Sequence, residues 1–77
     1  MKEKIFEEIR RLKLGKTHVW LFQQYNPFKY SLDPTEQRVF ESTMADLCNE
    51  GIFVAESNGS VIIYRLTEKG EKIIYSR

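Results

Sequence analysis

The stretch from Ile52 to Leu66 constrains this chain more than any other. Two runs rich in β-branched and apolar residues, Ile52 to Glu56 and Val61 to Leu66, flank Asn58-Gly59. An Asn-Gly pair accepts the positive φ that a tight two-residue turn demands, so the segment predicts an antiparallel β-hairpin. A turn at Asn58-Gly59 pairs Glu56 with Val61, Ala55 with Ile62, Val54 with Ile63 and Phe53 with Tyr64.

Helical periodicity frames the hairpin on both sides. Ile5, Phe6, Ile9 and Leu12 recur at helix spacing between Lys2 and Lys13, with Lys4, Glu7, Glu8 and Arg11 on the other face and Gly15 as the expected C-cap. Glu7 lies four residues before Arg11, the favourable order for a surface pair. A second helix begins at Asp33-Pro34: Asp33 is a good N-cap, Pro34 suits the first helical position, and Glu36 completes the capping-box spacing. Its apolar stripe is Val39, Phe40, Met44, Leu47 and Cys48, and Gly51 closes it. Thr67 caps a short last helix carrying Ile73 and Ile74, with Gly70 inside it. Residues 16–33 admit two readings. Thr17 can cap a short helix running to Tyr25, whereas His18 to Phe22 has the β-branched and aromatic content of a strand; the helix is the preferred reading. Asn26-Pro27 then ends it, and Phe28, Tyr30 and Leu32 form a loop laid on the core.

At 77 residues the chain has room for one α+β domain, 1–77. Cys48 is the only cysteine and His18 the only histidine, so neither an internal disulfide nor a zinc site of three or four ligands is expected. A reducing cytoplasm is the expected compartment. No basic start leads into a long apolar run, and no apolar stretch nears the ~20 residues that cross a bilayer. With no glycine-rich phosphate loop and no acid-base or nucleophile arrangement, the chain is expected to lack enzymatic activity, a cofactor and a small-molecule ligand.

The net charge of +1 conceals a polarity. Residues 1–32 hold seven bases against three acids, a balance of +4, and residues 33–51 hold one base against five acids, a balance of −4.

Two stretches carry a resemblance to a known superfamily. Leu47-Cys48-Asn49-Glu50-Gly51-Ile52-Phe53 is similar to the end of the third helix of winged-helix domains, where a leucine, a polar turn and a glycine lead into the first wing strand. Tyr64-Arg65-Leu66-Thr67-Glu68-Lys69-Gly70 resembles the pattern that closes the wing in many members. The match covers residues 34–75. It implies three helices, a C-terminal hairpin wing, a short closing helix and a DNA-binding ancestry. Residues 16–33 depart from it, since no clean second helix with a three- or four-residue turn is visible there.

In DNA-binding members the third helix enters the major groove and the wing meets the backbone, so both usually carry cations. Here the exposed helix face is expected to be Glu36, Gln37, Arg38, Glu41, Ser42, Ala45, Asp46 and Asn49, and three of these repel phosphate. Thr35, Gln37, Arg38 and Ser42 remain as candidates for reading base edges. The basic surface lies elsewhere, at Lys2, Lys4, Arg10, Arg11, Lys13, Lys16 and Lys29, interspersed with Glu3, Glu7 and Glu8. In the resemblance Leu66 points inward, which places Phe53, Ala55, Ile62 and Tyr64 on the core side and Val54, Val61 and Ile63 outside with Glu56 and Arg65. Three outward aliphatic residues form a candidate protein interface. Two functions therefore stay open: a small DNA-binding or transcription-associated protein, with double-stranded DNA as partner, and a protein-interaction module, as a homodimer or with another partner, that kept the fold and lost DNA contact.

Overall fold

The structure, a computed structural model, describes residues 1–16 and 18–76, with Asn58 described by its backbone alone. The capping role expected of Thr17 lies outside the described residues. The elements are α1 (Lys2–Leu12), β1 (Val19–Trp20), α2 (Phe22–Ser31), α3 (Pro34–Asn49), β2 (Phe53–Asn58), β3 (Val61–Leu66) and α4 (Glu68–Tyr75). They form an α+β domain of four helices and one antiparallel sheet of order β1-β3-β2.

The hairpin forms two residues out of the expected register. Phe53 pairs with Leu66, Ala55 with Tyr64 and Asn58 with Val61, so the turn residues are Gly59 and Ser60 rather than Asn58 and Gly59. Gly59 alone in the turn has positive φ, at 67°, which suits a glycine at the first central position of a type II′ turn. A slide of two residues preserves the alternation of side chains, so the expected inner and outer faces both survive.

The larger correction falls on residues 16–33. Val19 and Trp20 form a strand against Arg65 and Tyr64, and a ten-residue helix follows where the sequence predicts a helix to Tyr25 and then a loop. Pro27 sits inside this helix, costing one backbone bond, but its ring is exposed. The gain that offsets it is aromatic packing: the Tyr25 and Phe28 rings lie 5.6 and 5.8 Å from that of Trp20.

Trp20 is the hub of the core. Phe40 of α3 and Phe53 of β2 also meet it, at 6.2 and 6.3 Å between ring centroids, and its indole N–H is buried without an acceptor among the described residues. Around this hub Ile5 and Ile9 of α1, Met44 and Leu47 of α3, Leu66 of β3 and Ile74 of α4 are all fully buried. The helices cover the face bearing Trp20, Phe53, Tyr64 and Leu66; the face bearing Val19, Val54, Ile63 and Arg65 is open.

The caps hold these elements in place. Asp33 accepts the Glu36 N–H at 2.9 Å, as expected, but the Glu36 carboxylate goes to Lys4 instead of completing a capping box. α1 ends at Lys13, which takes the left-handed conformation at φ 56° that the sequence assigns to Gly15. Arg11 pairs with Glu8 rather than Glu7. Thr67 accepts the Gly70 N–H at 2.9 Å and donates toward the Gly51 carbonyl at 2.5 Å, tying α4 to the base of the hairpin. There the backbone contact is so close that a Cβ on Gly70 would lie 2.3 Å from the Ile52 carbonyl oxygen.

Candidate functional site

At 100° per residue, Thr35, Arg38, Ser42, Ala45 and Asn49 fall on one face of α3, and all five are exposed. Glu36 and Glu41 lie to either side, whereas exposed Asp46 falls about 20° from Thr35, at the edge of the stripe. Glu36 and Glu50 face α1, where Lys4 and Lys2 meet them at 2.6 and 2.5 Å, and Glu41 leans toward α2, where Lys29 lies at 3.4 Å. Hydrogen bonding to these carboxylates holds the Lys2 and Lys4 ammonium groups above their ordinary value, and Asp46 adds to the effect on Lys2. Of the three acids expected to repel phosphate, Glu36 and Glu41 each meet a lysine of the chain, Glu41 with its side chain 80% exposed, and Asp46 makes no ion pair among the described residues.

The candidates for base contact separate on inspection. Thr35 and Arg38 are exposed, and Arg38 makes no ion pair among the described residues. The Ser42 hydroxyl donates to the Val39 carbonyl at 3.0 Å and stays on the surface. Gln37 is drawn away: its amide donates to the Leu32 carbonyl at 2.8 Å and steadies the α2–α3 junction.

The basic surface is also dispersed. Arg10 donates to the Ile74 carbonyl at 2.8 Å, where it closes the last turn of α4. Arg11 makes two bonds to Glu8, at 2.8 and 2.6 Å. Lys29 lies 5.9 Å from the Phe40 ring centroid besides facing Glu41. Lys13 and Lys16 remain exposed at the far end of α1, with no ion pair among the described residues.

On the open face of the sheet Val54 is 47% exposed, and Val61 and Ile63 are half-buried beside it. Arg65 reaches diagonally across to Glu56 in a two-pronged bridge of 2.8 and 3.0 Å, and this hydrogen bonding holds the Glu56 carboxyl below its ordinary value. Val19 joins this face through its pairing with Arg65, a residue the sequence reading left out.

A feature not expected from the sequence opens on the inner side of the hairpin. Near its tip the sheet overhangs the helices and leaves a groove of about 560 Å³ walled by Phe22 and Tyr25 of α2, Phe40, Glu41 and Cys48 of α3, and Ile62 and Tyr64 of β3. Tyr25 bridges it by donating to the Ile62 carbonyl at 2.5 Å. Burial pushes the Cys48 thiol up, so this cysteine packs as a small neutral side chain. Among the described residues no group of His, Cys, Asp or Glu is placed to hold a metal ion, and no helix is long and apolar enough to cross a membrane.

No family model, curated protein or solved structure matches the chain.

Proposed function

We propose that the chain is a winged-helix domain that binds double-stranded DNA without catalysing a reaction, as a DNA-binding or transcription-associated protein. In this reading α3 enters the major groove and the β2–β3 hairpin is the wing. The order of elements and the closing contacts at Gly51, Thr67 and Gly70 support the fold. The observation that carries the function is the sorting of charge around α3. Glu36, Glu41 and Glu50 meet Lys4, Lys29 and Lys2 to the sides of an outward stripe of Thr35, Arg38, Ser42, Ala45 and Asn49, with Asp46 exposed at the edge of the stripe. Arg can contact guanine edges, Asn adenine edges, and Ser or Thr either, while Ala permits close approach. Titrating a short duplex into ¹⁵N-labelled protein tests this. Shifts concentrated at residues 35, 38, 42, 45 and 49 support it, and shifts confined to Lys13 and Lys16, or none, refute it.

A second reading has its own observation. The open sheet face carries Val19, Val54, Val61 and Ile63, whereas a solvated antiparallel face is ordinarily polar. A protein-interaction role through this face, as a homodimer or with another protein, is tested by sedimentation of the wild type and of Ile63→Glu. Self-association that the substitution abolishes favours it, and a monomer at all concentrations removes the homodimer.

A further inference from the structure

We infer that Tyr25 is the positioning residue of the wing: its hydroxyl holds the hairpin tip at one distance from α3, so that short polar groups of the tip meet a backbone phosphate while α3 lies in the major groove. This role rests on the DNA-binding reading above. The need for such a residue starts from the sequence of the tip. No lysine or arginine lies between Val54 and Tyr64, and the one acid there, Glu56, is held by Arg65. The tip can offer a phosphate only the exposed hydroxyls of Ser57 and Ser60 and the backbone N–H groups of the Gly59-Ser60 turn. A lysine reaches a phosphate on a flexible four-carbon stem, whereas a serine hydroxyl or a backbone N–H has no such reach. Contacts of this short kind gain most when the backbone that carries them is already in place.

The edge of β3 explains how the tip is held. β1 covers that edge only as far as the pairing of Trp20 with Tyr64, because the chain turns away at Leu21 and enters α2 at Phe22. Leu66 turns its N–H to the His18 carbonyl on this edge, so by alternation Tyr64 and Ile62 face it as well, whereas Arg65, Ile63 and Val61 face β2. The Ile62 carbonyl is thus an acceptor just beyond the end of β1, and the Tyr25 hydroxyl donates to it at 2.5 Å. Among the described residues no other hydrogen bond joins residues 57–62 to a helix. The Tyr25 ring is itself fixed: it is 7% exposed, stacks on Phe40 of α3 at 6.0 Å and meets Tyr64 edge-on at 5.3 Å. One side chain therefore ties the tip of the hairpin to α3.

Two variants and two measurements test this. Tyr25→Phe keeps the ring and removes the hydroxyl. Tyr75→Phe is the control, since it removes a tyrosine hydroxyl that bonds the Leu14 carbonyl at 2.6 Å and touches neither α3 nor the hairpin through that bond. Hydrogen exchange of the free protein at the Val61 and Ile63 amides, taken relative to the Phe40 and Met44 amides of the same sample, should become roughly fivefold faster in Tyr25→Phe, as the loss of one net hydrogen bond gives, and stay unchanged in Tyr75→Phe. Affinity for a short duplex at about 50 mM salt should fall roughly fivefold in Tyr25→Phe and stay within about twofold in Tyr75→Phe. Equal relative exchange in the two variants, or a duplex affinity that Tyr25→Phe leaves unchanged, would overturn this role alone. A wild type that binds no duplex would overturn the DNA-binding reading and this role with it.

Discussion

α1 and α3 carry their charge in opposite ways, and the contrast lies in where each side chain finds its partner. α1 is rich in cations, yet Lys2 and Lys4 are held by acids of α3, Arg11 by Glu8 and Arg10 by the end of α4. α3 holds a single cation among its acids, yet that one, Arg38, stands outward on a stripe of small polar residues while Glu36 and Glu41 are drawn aside and Asp46 stays at the edge of the stripe. The segment totals of +4 and −4 thus describe two surfaces that largely cancel against each other within the domain. For a partner such as DNA, the charge left after internal pairing matters more than the charge of the segment.

The comparison can be broken most completely by removing the frame that both helices share. Gly70→Ala drives a methyl into the Ile52 carbonyl, a clash with backbone that should cost about 3 kcal/mol or more, read by urea unfolding. In a domain of this size that is a large part of the total. A smaller loss is expected for Arg10→Ala, about 1.5 kcal/mol, because a charged donor to the Ile74 carbonyl disappears. Duplex affinity of the folded fraction should not change, which separates this arginine from Arg38. Lys13→Gly should have the opposite sign, stabilising by about 0.5 to 1 kcal/mol, since the left-handed φ of 56° suits glycine better. The smallest effect is that of the α1–α3 ion pairs. Lys2 and Lys4 have their values raised in the folded state, so their contribution is complete below the unfolded value near 10.5 and is lost as pH rises through the folded one. The pairs are exposed, so the loss is slight and salt-sensitive, and Lys4→Met should flatten it in thermal melts taken at rising pH.

The second half of the domain was legible because its signals are local. Asp33-Pro34 and Thr67 cap the helices they announce, Gly51 takes its positive φ at the end of α3, and the alternation in Val61 to Leu66 assigns both sheet faces even with the turn two residues out of place. Residues 16–33 were not legible, because Pro27 outweighed a spacing that was present: Phe22, Tyr25, Phe28 and Leu32 recur on one helical face. The two-residue strand β1 gave no periodic signal at all, being defined by its partner β3. The site followed the same division. Thr35, Arg38 and Ser42 could be placed on an exposed face from helix spacing, whereas Gln37 and Arg10 have partners fixed by the packing of separate elements. No local pattern announces that Lys4 meets Glu36 across the domain.

Fluorescence anisotropy of a labelled random-sequence duplex tests the central claim most directly, with wild type, Arg38→Glu and the pair Lys13→Glu/Lys16→Glu compared at about 50 and 200 mM salt. If Arg38 supplies one phosphate contact, wild-type affinity should fall roughly three- to fourfold across that range. Arg38→Glu should abolish the low-salt binding, and the Lys13/Lys16 variant should keep it within about twofold, since those lysines lie outside the α3 surface. Equal loss in both variants, or no wild-type binding at the lower salt, would contradict the assignment of α3 as the DNA-reading surface.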